Sequence, residues 1–239
     1  MREDDRGVIP TVSYSKLDLL KQCRMKFKLR YVEQNYSQTG TLATYIGSIL
    51  HKGLELKAIA KMQNKPVDYE YIKNVVTGGW EQDKEKILGT NEITTMYFSD
   101  WFALDELGIS YDDKLNLYFN KVLPTRMEDS AWTIKGAEVP FEFVYDERCI
   151  VHGFIDRMDE KEGCMKVVDY KSSKKIFPET KIKTPLQMVI YDMACVFLYG
   201  ILPEEHEYDF ILLNQKQTTR DGVCSKGYLI RGIKALDKL

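Results

Sequence analysis

Asp156, Asp169 and Lys171 lie close together in the sequence and are the strongest candidates for chemistry. They belong to residues 151–175, VHGFIDRMDEKEGCMKVVDYKSSKK, in which two apolar runs flank a polar tip at residues 160–163. This pattern predicts a β-hairpin. Because side chains alternate across a strand, Asp169 and Lys171 should share a face, and the hairpin should bring Asp156 to within about two residues of Asp169. Two carboxylates and a lysine make up a metal-dependent phosphodiesterase site, although the pattern also fits a charged strand end in solvent.

His51 is a further candidate ligand, on a long helix predicted over residues 41–63. Gly47 precedes it by one turn and permits close backbone approach, and Glu55 follows it at i+4 and can hold the imidazole in one tautomer. A lone helical histidine is more often structural, so its immediate surroundings leave the ligand role open.

A later predicted helix carries a pair of polar residues near its start. Thr184 and Pro185 supply an N-cap and a first-turn proline, and Gly200 supplies the stop. Gln187 and Tyr191 lie one turn apart on this helix, on a face next to its apolar stripe.

Two local segments carry an excess of positive charge, although the formal net charge of the chain is −2. Residues 16–30 hold six basic residues and residues 171–183 hold five lysines, against a single acidic residue in each segment. Such segments can track a phosphate backbone, which makes Arg24 and Lys174 candidate contacts to DNA. Solvated helix lysines are the alternative interpretation.

Composition limits the class of protein. A hydrophobic content of 44% with 12% aromatic residues supports a packed core in this chain of 239 residues. No apolar run approaches the ~18 residues that a membrane span needs. The five cysteines are odd in number and form no CxxC pair, which favours a reducing, cytoplasmic location over a disulfide framework. The chain has neither a GxxxxGK[ST] phosphate loop nor an HExxH motif, which disfavours a nucleotide-driven motor and a zinc hydrolase.

The predicted elements follow the order helices, three strands, helix, two strands, which indicates an α/β fold: a mixed β-sheet core flanked by helices, in one domain over residues 1–239. A helical insertion, about residues 65–130, precedes the first strand. Glu138 at the start of that strand can point towards the same site, although an exposed strand carboxylate is the commoner case. The remaining predicted elements are a first helix capped by Ser15 and running to Tyr31, insertion helices at 69–88, 94–107 and 112–127, a strand at 139–145, and C-terminal strands at 209–214 and 227–233 around a turn at 218–222.

Together, these features have the order of motifs of one family. The chain resembles the RecB-type branch of the PD-(D/E)xK nuclease superfamily, which includes nuclease domains of bacterial recombination helicases, CRISPR-associated adaptation exonucleases and many phage exonucleases. The resemblance covers about residues 13–191, and the helical insertion matches nothing specific. The residues that carry it are Tyr14-Ser15, Cys23-Arg24-Met25-Lys26-Phe27, Gly47 with His51, Gly153 with Asp156, Asp169-Tyr170-Lys171, and Gln187 with Tyr191.

The resemblance implies a restriction-endonuclease-like fold and hydrolysis of DNA phosphodiester bonds, as an exonuclease. His51, Asp156 and Asp169 would then ligate one or two divalent cations, with the carbonyl of Tyr170 as a further ligand. Lys171 would orient the attacking water and stabilise charge on the phosphate. Hard oxygen ligands with one imidazole suit Mg²⁺ or Mn²⁺.

The remaining motif and the partners also follow from the resemblance. Gln187 and Tyr191 would position DNA or Lys171. The implied partners are DNA, as single strands or duplex ends, and proteins of recombination or CRISPR adaptation, with no membrane. The implied processes are DNA recombination, repair, phage replication and CRISPR adaptation. A catalytically silent DNA-end-binding or scaffolding subunit is the alternative. The sequence leaves open the polarity of cutting and the preference between single and double strands.

Cys23 matches the position at which many relatives hold an iron–sulfur cluster, together with three cysteines near the C-terminus. Those three ligands are absent here, because Cys224 lies ahead of the place where that group begins. We therefore expect either a cluster-free member or a C-terminally truncated chain, and the ending inside a predicted helix favours truncation. A cluster would then belong only to a longer form of the chain.

Overall fold

A mixed sheet of six strands forms the centre of the fold. The computed structural model describes residues 2–4, 7–9, 11–34, 42–88, 111–129, 131–145, 147, 149–173, 175–183 and 186–219. The strands are β1 (Arg2–Asp4), β2 (Gly7–Ile9), β3 (Thr11–Val12), β4 (Thr133–Tyr145), β5 (Cys149–Lys161), β6 (Cys164–Lys171), β7 (Glu205–Phe210) and β8 (Gln215–Thr219). β1 and β2 form a separate two-stranded ladder.

Helices flank the sheet, as the sequence predicts for this α/β fold. They are α1 (Tyr14–Gln22), α2 (Arg24–Phe27) with a π-helical turn (Lys28–Val32), α3 (Leu42–Met62), α4 (Tyr69–Leu88), α5 (Tyr111–Leu117), α6 (Glu179–Lys183) and α7 (Leu186–Tyr199). α5 continues through a π-helical turn, Tyr118–Val122, and a last helical turn, Leu123–Thr125. Helix α3 and two of the insertion helices are thus confirmed, and the helix predicted at 94–107 lies outside the described residues.

The first helix differs from its prediction at both ends. Ser13, not Ser15, is the N-cap, and its hydroxyl accepts a hydrogen bond from the amide of Lys16 at 3.4 Å. The helix stops at Gln22 because Cys23 adopts extended backbone angles, φ −159° and ψ 109°. Cys23 then begins α2, so the predicted continuous helix to Tyr31 is interrupted there.

The predicted hairpin is present as β5 and β6, which pair antiparallel from Arg157↔Val168 to Lys161↔Cys164. Its turn uses two left-handed residues, Glu162 at φ 53° and Gly163 at φ 85°. β3 pairs in parallel with β5 at Ile150 and Val151, on the same edge of β5 as β6. β4 occupies the opposite edge of β5 along its whole length. On the edge of β5 that carries β3 and β6, the described strands therefore leave the residues between these two partners unpaired.

The first of the two predicted C-terminal strands lies earlier than predicted. β7 ends at Phe210, because Ile211 turns inward in a short 3₁₀ segment, Ile211–Leu213, and is fully buried. β8 follows at once and includes Thr218 and Thr219, so the predicted turn does not begin at residue 218, and residues 220–222 of that prediction lie outside the described residues. The strand predicted at residues 227–233 lies outside the described residues.

Two hydrophobic clusters pack against the two faces of the sheet. The α7-side cluster joins α7 to inward residues of β4 and β5, including Phe141, Val151 and Ile155. The α3-side cluster joins α3, α4 and α5 to the other face through Val168 and Tyr170 of β6. β6 contributes buried residues to both clusters. The side chains of Asp169 and Tyr170, which are consecutive in this strand, therefore point to opposite sides of the sheet.

Candidate metal centre

His51, Glu138 and Asp156 form a group of possible metal ligands, which we call the metal group. Each offers one donor atom, and these atoms all lie within 4.8 Å of one another. Nδ1 of His51 lies 3.6 Å from Oδ2 of Asp156. Two carboxylate oxygens and an imidazole nitrogen are a donor set that Mg²⁺ or Mn²⁺ accepts.

The register of β4 on β5 brings the two carboxylates of the metal group together. Ile155 packs in the α7-side cluster, whereas Arg157, two residues on, donates to the hydroxyl of Tyr170 in the α3-side cluster at 2.9 Å. Strand alternation is therefore broken at Asp156. The register flanking this position, Ala137↔Arg157 and Val139↔Ile155, places Glu138 opposite Asp156, and Glu138 has the left-handed φ of 48°.

Tyr170 connects the metal group to β6. Its amide donates to Oδ2 of Asp156 at 2.6 Å, and its ring meets that of His51 edge to face, with centroids 5.8 Å apart. Its carbonyl also faces the imidazole, since a hydrogen bond to this carbonyl acts to raise the pKa of His51. The backbone of this residue thus lies beside the donor atoms on both its amide and its carbonyl side.

Burial controls the protonation of the metal group. It is the largest cause that raises the pKa of Asp156 well above its usual value, followed by the charge of Asp169. Burial also raises the pKa of Glu138, followed by the charge of Glu55, and it lowers the pKa of His51. A neutral imidazole beside carboxylates that resist ionisation is an environment that a cation would relieve, because a positive charge favours the ionised carboxylates. The residues present therefore fit a divalent metal.

A second group of polar side chains, which we call the lysine network, lies on the α7 side of β6. Nζ of Lys171 is 2.6 Å from Oδ2 of Asp169 and donates to Oε1 of Gln187 at 2.8 Å. Nε2 of Gln187 donates to Oδ1 of Asp169 at 2.6 Å, and the hydroxyl of Tyr191 donates to the same oxygen at 3.1 Å. Burial raises the pKa of Tyr191 well above its usual value, so this phenol remains a donor at neutral pH.

The metal group opens into a cleft of about 630 Å³ between α3 and the sheet. Its lining residues are Gly47, Ser48, His51, Lys52, Glu55, Glu138 and Ser172. Gly47 has a structural role here, because a Cβ atom at this position would lie 3.1 Å from the hydroxyl oxygen of Ser172. The glycine thus lets α3 approach the end of β6 and keeps His51 at the cleft wall.

The structure brings together most of the residues selected from the sequence. His51, Asp156 and Tyr170 meet at the metal group, and Asp169, Lys171, Gln187 and Tyr191 form the lysine network. In the described structure Asp169 is bonded within the lysine network and is not one of the three grouped donors.

The other selected residues stand apart from these two groups. Arg24 is exposed at the start of α2, and Lys174 and Cys224 lie outside the described residues. Cys23 is partly buried at the break between α1 and α2, and a backbone hydrogen bond from Lys26 lowers the pKa of its thiol. Cys23 therefore does not lie inside one continuous helix, as the predicted helix to Tyr31 requires.

Glu138 is the residue of the metal group that sequence reasoning undervalued. Its default interpretation was an exposed strand carboxylate, whereas the structure places it partly buried beside His51 and Asp156. The available signal was register: if Phe141 pairs with Gly153, then Glu138 falls opposite Asp156. The position of a strand partner is not visible in the local pattern of either strand, so this signal needs both strands at once.

Comparison with known families agrees with this geometry. A family model of the PD-(D/E)XK nuclease superfamily matches residues 11–216, and the chain belongs to this superfamily. Its members are generally metal-dependent nucleases. A search of curated proteins found no match. Among the described residues, no helix has the length and apolar character needed to cross a membrane.

Proposed function

We propose that this protein is a divalent-metal-dependent deoxyribonuclease that acts as an exonuclease on DNA ends. The observation that carries the proposal is the position of Lys171 one residue from Tyr170, whose amide and carbonyl border the metal group. A positively charged donor thus follows directly, on the same strand, the residue whose backbone borders the candidate cation site. This is the arrangement needed to hold a phosphate between a metal and an ammonium group.

In this proposal His51, Glu138 and Asp156 hold Mg²⁺ or Mn²⁺, with the carbonyl of Tyr170 and the carboxylate of Asp169 as further ligands. When bound, the metal lowers the pKa of a water molecule and offsets negative charge on the scissile phosphate. The neutral state of His51 that burial favours leaves a ring nitrogen free to coordinate.

Lys171 supplies the second positive charge of the proposed site. The side chain of Lys171 is 20% exposed, so it is reachable from solvent while Asp169 and Gln187 hold the position of its ammonium group. From there it orients the attacking water and stabilises charge that develops on the phosphate. Gln187 and Tyr191 act through Asp169 and Lys171, since they donate to the same oxygen of Asp169 and so fix its orientation.

The proposal is tested by digestion of end-labelled single-stranded and duplex DNA with Mg²⁺, with Mn²⁺ and with EDTA. We expect cutting that depends on the metal and is lost in Lys171→Ala. The matched control is Lys135→Ala, which removes a lysine paired with Glu160 on the surface of β4 and β5 and should cut normally.

The digestion has two outcomes that contradict the proposal. A folded wild-type protein that cuts neither form of DNA with either metal overturns nuclease activity. If such a protein still binds DNA ends, the alternative function of a silent end-binding or scaffolding subunit gains support.

The setting of the reaction is part of the same proposal. We place the protein in DNA recombination, repair, phage replication or CRISPR adaptation, in the cytoplasm, as one nuclease domain with a helical insertion. What supports this is the RecB-type order of the motifs described above. Arg24 and Lys174 are proposed DNA contacts on the strength of their basic segments alone.

A further inference from the structure

Phe154 is an exposed aromatic residue two positions before Asp156 in β5. Its side chain is 57% exposed, whereas the two phenylalanines of the neighbouring strand, Phe141 and Phe143, are 5% and 6% exposed. An isolated exposed apolar residue needs no explanation on most surfaces. Here the residue adjoins a proposed catalytic centre, so its placement bears on how substrate is held.

Packing on the other side of the strand fixes this outward direction. Ile155 is fully buried in the α7-side cluster, so alternation directs Phe154 to the opposite, α3-side face, where Asp156 meets His51. A Cβ atom at Gly153 would lie 2.7 Å from Cζ of Phe141, so the space beneath this segment is already filled. The ring of Phe154 has no inward alternative.

The ladder of cross-strand neighbours places Phe154 beside the metal group. Pro140 of β4 is its direct partner, and the next position along the same face sets Glu138 opposite Asp156. A strand rises about 3.3 Å per residue, so the two levels are roughly 7 Å apart. Phe154 also lies in the part of β5 between Val151 and Arg157. On the edge of β5 opposite to β4, no described strand pairs with this part. The ring is therefore open to a ligand that also reaches the metal group.

We propose that Phe154, supported by Pro140, is a stacking platform for an unpaired nucleobase next to the phosphate held at the metal group. This inference rests on the proposed nuclease function and deepens it, because it assigns a substrate class: a single strand or a frayed duplex end. An aromatic face accepts any base without reading its hydrogen-bonding edge, which suits a nuclease that cuts without sequence preference. A base stacked in duplex must first be extruded, and that step disfavours an intact duplex.

The size and surroundings of the surface argue for a base over a protein partner. One ring and one proline are flanked along the same face by the polar pair Glu142 and His152 on one side and by the metal group on the other. A stable protein interface needs about 800 Å² on each partner, which two small apolar side chains do not provide. One nucleobase covers a surface of this size.

The experiment measures binding without cutting, so that it is independent of catalysis. Fluorescently labelled single strands are titrated with wild-type protein and with Phe154→Ala, Phe154→Leu and Phe154→Trp, in Ca²⁺ under conditions where no cleavage is detected. The matched control is Phe197→Ala, since Phe197 is 60% exposed and packs on Phe143 at the other face of the sheet. We expect Phe154→Ala to weaken binding roughly five- to one-hundred-fold, Phe154→Trp to retain it and Phe197→Ala to have no effect.

An abasic substitution scanned along the strand turns the test into a thermodynamic cycle. At the nucleotide that contacts the platform, the missing base should weaken wild-type binding by the same factor as Phe154→Ala, and combining the two changes should cause no further loss. Equal binding by Phe154→Leu and wild type would show that apolar bulk and not stacking is at work, and would overturn the proposal.

Other results separate this inference from the proposed function. Independent effects of the abasic site and Phe154→Ala at every position, in a protein that cuts DNA, overturn the platform and leave the nuclease intact. A wild-type protein that cuts no DNA but shows the full cycle overturns the nuclease and retains the platform. Failure of the wild type to bind single strands overturns the platform, whereas the nuclease is overturned only if duplex DNA is also left uncut. Circular dichroism and thermal melting of each variant confirm that all are folded.

Discussion

Two clusters of carboxylates lie on the two sides of Tyr170 and differ in how their charge is compensated. The paired cluster contains Asp159, Glu207 and Asp209, all buried. The cleft cluster contains Glu138, Asp156 and Asp169 at the candidate metal centre. The cations that contact the paired cluster are Arg126, Arg157, Lys166 and Lys216. In the described structure the cleft cluster has the ion pair of Lys171 with Asp169, while nearby Lys52 is paired to Glu55.

The difference separates carboxylates whose charge is compensated by the protein's own side chains from carboxylates that form a candidate metal site. Arg157 donates two short hydrogen bonds to Asp159. Burial acts to lower the pKa of its guanidinium group, but the neighbouring Tyr170 and Asp159 raise this pKa above its ordinary value. Asp156 has a backbone amide in the place of such a partner, and its pKa is raised well above the usual range. Three acids beside one lysine leave an excess of two negative charges, which one divalent cation would cancel.

The largest expected effect is the loss of stability when the paired cluster is broken. Arg157→Met leaves Asp159 and Glu207 buried without the guanidinium group, which should lower the free energy of unfolding by about 3–5 kcal/mol. Urea denaturation followed by circular dichroism measures this loss. The control is Lys135→Met, which removes a surface partner of Glu160 and should cost less than about 1 kcal/mol. Similar losses in the two variants would show that the paired cluster is not needed for stability.

The next effect concerns the cleft cluster and its proposed activity. Asp156→Asn removes a charged ligand of the metal group and should slow DNA cutting by roughly 10²–10³-fold, about 3–4 kcal/mol of transition-state stabilisation. The folded structure should persist, because the amide can still accept from Tyr170. Single-turnover digestion of labelled DNA gives the rate. An Asp156→Asn protein that cuts at the wild-type rate would remove this residue from the site.

A smaller effect is the stabilisation of the folded protein by metal. At a Mn²⁺ concentration a hundred times the dissociation constant, binding should stabilise the native state by about 2.7 kcal/mol. Thermal melting against Mn²⁺ concentration measures the shift, which Asp156→Asn should abolish. Glu160→Gln serves as control, since it changes a partly exposed carboxylate of the same strand, paired with Lys135, and should leave the shift unchanged. A metal-induced shift that survives Asp156→Asn would place the cation elsewhere.

The smallest effect is the pH dependence of the metal-free protein. The folded-state pKa of Asp156 is raised, so between the unfolded value of about 3.9 and the raised value the native state holds a proton that the unfolded chain has released. This contribution to stability is present at low pH and is lost as the pH rises through the folded pKa. Each unit of raised pKa corresponds to about 1.4 kcal/mol.

Urea denaturation of wild type and Asp156→Asn in EDTA, from acidic to neutral pH, isolates the contribution of the Asp156 carboxyl group to the free energy of unfolding. We expect the stability of the wild type to fall relative to the variant with rising pH, and Mn²⁺ to reverse the difference at neutral pH. Parallel curves for the two proteins would show that the Asp156 carboxylate is already compensated without metal.

The parts of the site that depend on local sequence were predictable. Alternation along one strand correctly put Asp169 and Lys171 on one face, and helical spacing correctly put Gln187 beside Tyr191. Both relations involve residues at most four apart, so the local period fixes them. The turn of the hairpin was predictable for the same reason, from a polar tip with Gly163.

The parts that failed depend on contacts between distant segments. Glu138 enters the metal group through the register of β4 on β5 and through a left-handed backbone that its residue type does not favour. β7 ends early because Ile211 is buried against the α3-side cluster, a contact far from it in sequence. Cys23 interrupts a stretch with a continuous apolar period, and the pattern gives no sign of the interruption. Such features are decided by tertiary packing and not by propensity.

Helix α3 carries His51 and, nearly two turns further along, the fully buried Lys57. Nζ of Lys57 donates to the carbonyls of Leu123 and Pro124 at 2.8 and 2.9 Å, at the end of the helix that begins as α5. The continuous helix α3 thus connects His51 at the cleft with the helical insertion, over about 9 Å. The insertion therefore contacts the helix that carries the proposed metal ligand, and we expect a change that loosens its last turn to alter how firmly His51 is held.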